Sequence, residues 1–360
     1  MEKIEEKFMR YVRVDTPSSE ANFDVTPSSD CQKTLAYMLA NELKALGLEA
    51  EITENAYVYS HIPANCKAKY SIGFIAHMDV VEEPKGFGVT PVLHANYQGG
   101  DIVLSGTKLS PENTPQLAKF VGQDVITSDG TTVLGADDKA GIAEIMSLAE
   151  YLVNHPEVKH GKIGIAFTPD EEIGHGAKYF DVKKFGCDFA YTVDGEDLGE
   201  ISYETFNGAA FDLEISGVNI HPGQAKGKML NAIVVANEFF SMLPANERPE
   251  TTDGREGYYF VNDFSGNVEK CSVSGIIRDH DGEKFEKRKQ LVQGAADVLA
   301  KKYEGKIKFT MRDQYRNCAE VITPHIHLIE NAQKAMQDVG VQPLTFPIRG
   351  GTAGSSLSFM

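Results

Sequence analysis

Short apolar runs alternate with amphipathic stretches all along the chain before Thr205, and no other feature narrows the fold so far. "YSIGFIA" (70–76), "KIGIAFT" (162–168) and "FAYTV" (189–193) are apolar without clean period-two alternation, the pattern of strands buried on both faces. Between them lie helical segments. "MEKIEEKFMRYVRV" places Ile4, Phe8, Met9 and Val12 on one side. "SSDCQKTLAYMLANELKALG" carries Ser29 and Gln32 as a capping box and Gly47 as its stop. "DKAGIAEIMSLAEYLV" spaces Ile142, Ile145, Met146, Ala149, Leu152 and Val153 helically. Such alternation predicts an α/β fold with a mostly parallel sheet covered by helices.

Around Thr205 the pattern changes. "FDLEISG", "YYFVNDF", "KCSVSGIIRDHD" and "KIKFTMRDQY" read as strands. "NAIVVANEFFSMLP" and "EKFEKRKQLVQGAADVLAKKYEG" read as helices, the second presenting Phe285, Val292, Ala295, Ala296 and Leu299. The order β-α-β-β-α-β is ferredoxin-like and small enough to be an inserted α+β domain. The expected organisation is therefore 1–205 as a first region, 206–317 as the insert, and 318–360 as a return to the first region.

With 360 residues, 42% of them hydrophobic and 24% charged, the chain has the make-up of a globular protein of about two domains. No apolar stretch approaches a membrane span, and the start does not read as a signal peptide. Cys31, Cys66, Cys187, Cys271 and Cys318 are scattered and odd in number, so a reducing cytoplasm is expected and a disulfide framework is not. A formal charge of −17 disfavours nucleic acids and anionic membranes as partners and leaves room for divalent cations. There is no G-x-G-x-x-G opening a helix and no G-x-x-x-x-G-K-[ST], which disfavours nucleotide chemistry.

Each buried strand of the first region runs into groups that ligate metals. "GFIA" ends in His77-Met78-Asp79, "KIGIAFT" in Asp170-Glu171-Glu172, and "FAYTV" in Asp194-Gly195, while Asp137 and Asp138 open a helix. Ligands of open α/β sheets bind at the carboxyl ends of strands. Singly, each group has a bland explanation: a satisfied histidine, a helix-dipole partner, turn chemistry, a solvated acidic surface. Four such segments converging on one edge instead predict a metal site. One imidazole with several carboxylates and no cysteine suits zinc, with cobalt or manganese open. A shared carboxylate holds two ions ~3.5–4 Å apart for hydrolysis, and one glutamate of the pair is then left to handle protons.

With these residues in view, "AHMD", "GADDKAG", "TPDEEIG", "TVDG", "SGVNIHPGQAKGKMLNA" and "IRGGT" resemble the peptidase T (aminotripeptidase) branch of the dizinc M20 metallopeptidases, from the first residues to the end of the chain. The resemblance implies a zinc-dependent exopeptidase-like catalytic domain with an inserted lid, acting on small peptides. It implies that His77 and Asp194 bind one zinc, Asp137 bridges both, and Glu172 binds the second. Asp79 would orient His77, and Glu171 would be the general base. In the lid, His221 would stabilise the oxyanion, Asn231 and Arg278 would contact the substrate backbone, and Arg349 would hold its carboxylate. Lid surfaces of this superfamily also imply a possible homodimer.

The resemblance is incomplete at the C-terminal end. Where the family pattern reads RGGTDG, this chain has Arg349-Gly350-Gly351-Thr352-Ala353-Gly354, followed by "SSLS". The family's further zinc-ligating histidine is expected beyond Met360. Two zincs are thus the family expectation, with the first site (His77, Asp137, Asp194) filled and the second partly empty. A dipeptide or acyl-amino-acid hydrolase of the same superfamily and a non-catalytic metal-binding member remain alternatives.

Overall fold

Five strands form the central sheet of the first of two units, Met1–Gly195 and Glu196–Met360, in the computed structural model, which describes residues 2–82, 85–195 and 197–360. In chain order the first unit contains β1 (Ala50–Ile52), β2 (Val58–Ile62), β3 (Ile72–His77), β4 (Pro91–His94), β5 (Ile102–Leu104), β6 (Thr107–Leu109), β7 (Val125–Ser128), β8 (Ile163–Thr168) and β9 (Phe189–Thr192). Its helices are α1 (Ile4–Val12), α2 (Gln32–Ala45), α3 (Ala136–Asn154) and α4 (Val182–Phe185). The sheet order is β1-β2-β8-β3-β9. β3 pairs in parallel with β8 and β9, while β2 runs antiparallel to both β8 and β1, so four of the five strands point the same way. Antiparallel pairs β4–β7 and β5–β6 lie outside it.

The apolar faces of α1, α2 and α3 share one core with the sheet: Tyr11, Leu35, Leu39, Leu43, Val58, Ile142, Met146 and Phe167 are all buried in it. Two local expectations are corrected. In α1 the inner face is Phe8, Tyr11 and Val12, and Ile4 is 45% exposed. Tyr11 is buried there with its hydroxyl donating to Glu42 at 2.6 Å, and buried Lys7 pairs with Glu150 at 2.8 Å. In α2 no capping box forms. Gln32 is fully buried; its amide donates to Asp170 Oδ1 at 2.7 Å and to Ser29 Oγ at 3.3 Å, and neither side chain caps the helix-start backbone. Gly47 does close α2: at φ +83° it lets the Leu48 N–H reach the Leu43 carbonyl at 3.1 Å.

The second unit has β10 (Asn207–Ser216), β11 (Tyr258–Gly266), β12 (Lys270–Asp279) and β13 (Ile307–Tyr315), ordered β11-β12-β10-β13 and antiparallel throughout. Helices α5 (Ala232–Met242) and α6 (Gly282–Lys302) pack on this sheet and complete the ferredoxin-like pattern. Phe211, Phe239, Val273, Ile277, Val292 and Leu299 form its core. Short helices α7 (Ala319–Ile322), α8 (His327–Asp338) and α9 (Ala353–Leu357) follow. Residues 318–360 cluster with 196–317 in the second unit. They pair in extended form with residues 199–206, whose first seven belong to the expected first region: Leu344 N–H donates to Gly199 O, Ile201 N–H to Leu344 O, Ile348 N–H to Glu204 O and Phe206 N–H to Gly350 O, at 2.8–3.1 Å.

Candidate metal centre

Three neighbouring parallel strands bring the site together. His77 ends β3, opposite Thr168 at the end of β8, and Asp194 lies two residues past the end of β9. Gly135, at φ +75°, turns the chain into α3 so that Asp137 and Asp138 arrive at the same edge. The donor atoms of His77, Asp137 and Glu172 lie within 4.8 Å of one another, as do those of His77, Asp138 and Asp194. Glu171 belongs to neither group.

His77 is 3% exposed. Its Nδ1 lies 3.0 Å from the Asp79 carbonyl, which can only accept, so Nδ1 carries the proton and Nε2 faces the carboxylates. Nε2 is 2.8 Å from Asp137 Oδ1 and 4.0 Å from Asp194 Oδ2. Burial pulls the His77 pKa down, but its bonds to Asp137 and Asp79 outweigh this and hold it well above the usual range.

The carboxylates crowd one another. Burial, with the nearby Asp137 charge adding to it, pushes Glu172 up to about 7 and Asp194 up to about 7. Asp138, almost fully buried, lies well above the ordinary range for the same leading reason. Asp137 is exposed and lowered by its bond to His77. Carboxylic acids raised by burial and by one another's charge are the kind of donor set a divalent cation would relieve. An imidazole among carboxylates, with no thiol in either group, fits zinc-type ligation.

The three adjacent acids 170–172 have separate fates. Asp170 is fully buried and accepts from Ser28 and Gln32, away from the donor cluster. The Glu171 and Glu172 N–H groups donate to Asp79 Oδ1 and Oδ2 at 2.9 and 3.1 Å. Asp79, 0% exposed, has Oδ1 3.4 Å from His77 Nδ1 as well, so one buried carboxylate sits behind the histidine and under both glutamates. Sequence reasoning left Asp138 as a helix opener. Its carboxylate in fact accepts from His77 N and Gly141 N, a pairing across 61 residues for the first that no local signal announces.

The other candidates lie in the second unit. Exposed His221 accepts the Gly223 N–H at Nδ1 (3.2 Å), and Asn231 caps α5 through Ile233 N–H (3.0 Å). Arg278 is 8% exposed, donates from Nη1 to the carbonyls of Ala209 and Ile277, and lies over the Tyr315 ring. Arg349 donates to oxygens of Thr252, Gly254 and Glu256 and stacks on Phe206 and Tyr258.

A strand-end cluster of one imidazole and several carboxylates, joined to a separate βαββαβ unit, defines a metallohydrolase of the two-domain kind. Residues 203–304 match the family model described as the peptidase dimerisation domain. Over its whole length the chain is 54% identical to the peptidase T of Clostridium perfringens (strain 13 / Type A) and covers 89% of it. The aminopeptidase PepT of Bacillus cereus ATCC 10987 has the same fold, with a TM-score of 0.78 at 23% identity, over 99% of this chain and 87% of that one. A dinuclear metal-binding M20 peptidase of Bacillus subtilis, YXEP, aligns with a TM-score of 0.60 at 14% identity, over 99% and 86%. The chain belongs to the peptidase T family of M20 peptidases.

Proposed function

We propose that this chain is a zinc-dependent aminotripeptidase of the cytoplasm, releasing the N-terminal residue of an unblocked tripeptide by attack of water. The observation that carries the reading is the pair of donor groups that share His77, one with Asp137 and Glu172 and one with Asp138 and Asp194, each with its donor atoms within 4.8 Å of one another, in a chain so similar to peptidases T. The imidazole of His77 among the carboxylates supports zinc. Five free cysteines support a reducing compartment. No helix among the described residues is long and apolar enough to cross a membrane.

In this reading His77 and Asp194 would hold one ion and Glu172 the other, with Asp137 a ligand that both would share. Bound divalent ions supply Lewis acidity, polarising the scissile carbonyl and making water acidic enough to ionise near neutral pH. Glu171 takes the proton of the attacking water and delivers it to the leaving amine. Asp79 fixes the Glu171 backbone from one side and His77 from the other, so that base and ligand share a support.

The residues proposed for substrate contacts, His221, Asn231, Arg278 and Arg349, are all carried by the second unit. With Nδ1 of His221 accepting from Gly223, its Nε2–H is the donor offered to a developing oxyanion. Asn231 spends its oxygen on the helix and offers its amide nitrogen to a peptide carbonyl. Arg278 contacts the peptide backbone. Arg349 takes the peptide carboxylate after exchanging its bonds to Thr252, Gly254 and Glu256. The dimerisation-domain match supports a homodimer formed through residues 203–304, to be tested by sedimentation.

A substrate panel tests the activity. With zinc present, unblocked tripeptides are expected to lose their first residue, whereas dipeptides and N-acetylated tripeptides are spared. Faster release from dipeptides or acylated amino acids would transfer the chain to another M20 specificity.

A further inference from the structure

Beyond Thr168 the chain leaves β8 through Pro169 and enters the left-handed region at Asp170, where φ is +57°. That conformation is costly for a residue with a Cβ, although aspartate tolerates it better than most. Asp170 is nevertheless held there on every polar atom. Its N–H donates to Gln32 Oε1 (3.2 Å), and its carbonyl accepts from His175 N–H (2.8 Å). Its carboxylate accepts Ser28 N–H (3.0 Å at Oδ1, 2.8 Å at Oδ2), Ser28 Oγ (2.6 Å) and Gln32 Nε2 (2.7 Å). Asp170 and Gln32 are both 0% exposed, and Ser28 is 3% exposed. The next two N–H groups, of Glu171 and Glu172, end on Asp79.

We infer that Asp170, caged by Ser28 and Gln32, is the positioning residue of this site: it fixes the turn from which Glu171 and Glu172 project. Three consecutive N–H groups, 170 to 172, are received by two buried side chains from different parts of the chain, Gln32 at the start of α2 and Asp79 after β3. A backbone held so firmly delivers two side chains in fixed directions, which a ligand and a proton-transfer group both require. Asp170 belongs to neither donor group of the cluster. Its effect passes through the backbone. The inference rests on the roles proposed for Glu171 and Glu172.

The chemistry of the cage supplies its own test. In Asp170→Asn the side chain keeps its shape, but both carboxylate oxygens accept from N–H groups, so the new amide NH2 must face a donor whichever way it turns. Adding Gln32→Glu restores the match, because the carboxylate introduced at position 32 can accept from both the new amide and the backbone N–H of residue 170. Both variants, and Ser28→Ala as a milder lesion, are compared with the parent for kcat and KM on a tripeptide, Co2+ affinity by absorbance, and thermal midpoint. Asp170→Asn is expected to lower kcat and Co2+ affinity roughly ten- to a hundredfold with a smaller change in KM. The double variant is expected to recover most of both. Should Asp170→Asn fail to fold, Ser28→Ala carries the same test, with a loss of kcat larger than its change in KM. Parent-like kcat and Co2+ affinity in folded Asp170→Asn would overturn the inference, as would a folded double variant with no recovery. If the parent itself released nothing from tripeptides, the activity reading would fail separately, and Co2+ affinity alone would decide the positioning role.

Discussion

Asp79 receives the backbone N–H of Glu171 at 2.9 Å while its own backbone carbonyl receives His77 Nδ1 at 3.0 Å. A single buried residue thus couples the orientation of the proposed metal ligand to that of the proposed base. Asp79→Asn leaves only one oxygen for the two N–H groups of Glu171 and Glu172. The expected result is a roughly ten- to a hundredfold loss of kcat together with weaker metal binding, in a folded protein. Kinetics and a metal titration on the purified variant check this.

Gly141 lies in the first turns of α3, where any Cβ would overlap the Val193 carbonyl oxygen and Asp138 Oδ1. The missing side chain is what lets α3 approach the end of β9, and so brings Asp138 near Asp194. Gly141→Ala is expected to weaken metal binding, despite the better helix propensity of alanine. A metal titration beside a melting curve separates the two effects.

Metal binding should itself depend on pH. Glu172 and Asp194, both raised to about 7 by burial first, must give up protons before they ligate. Affinity is therefore expected to fall as pH drops below about 7 and to go on rising above it, because His77, held well above its usual range, must also lose a proton to ligate. Stripping with a chelator should lower the melting temperature, and zinc at about a hundred times its Kd should restore about 2.7 kcal/mol. Calorimetry in buffers of different ionisation enthalpy measures the released protons.

A second pH effect is expected in the other unit. His280 donates from Nε2 to Ile348 O, and its Nδ1 is buried without a partner. Burial lowers its pKa below the ordinary 6.5, with the Arg255 charge working in the same direction and the backbone of Ile348 and Arg255 and the Glu204 charge working against. A base lowered in the folded state contributes its full stability above the unfolded value, and that stability is lost as pH falls through 6.5 toward the folded value. His280→Gln is therefore expected to flatten the fall in unfolding free energy between neutral and mildly acid pH. Urea titrations of both proteins at several pH values measure that slope.

Patterns that belong to one segment could be read in advance. Apolar strands ending in His77, in Glu171-Glu172 and in Asp194 announced the sheet and the edge where the His77, Glu172 and Asp194 side chains gather. The face of α6 was legible because five small or apolar residues recur at helical spacing, and all five are buried. What escaped depends on partners far along the chain. Gln32 reads locally as a capping residue, but its partner Asp170 is 138 positions away. Tyr11 lies seven residues on from Ile4 on the same face, buried with its hydroxyl donating to Glu42, while Ile4 at the first residue of the helix stays 45% exposed. Residues 344–350 carry no strand signal, yet they pair with 199–206 through main-chain groups that every sequence possesses.

The most direct test replaces Glu171 with glutamine, a change that keeps the side chain's size but removes its capacity to accept a proton. Release of the N-terminal residue from a tripeptide is measured beside the zinc content of the same preparation. The account expects turnover to fall by roughly a hundredfold or more while zinc content stays at the parent value. Turnover equal to that of the parent would contradict the assignment of Glu171 as the base, and with it the proposed reaction at this site.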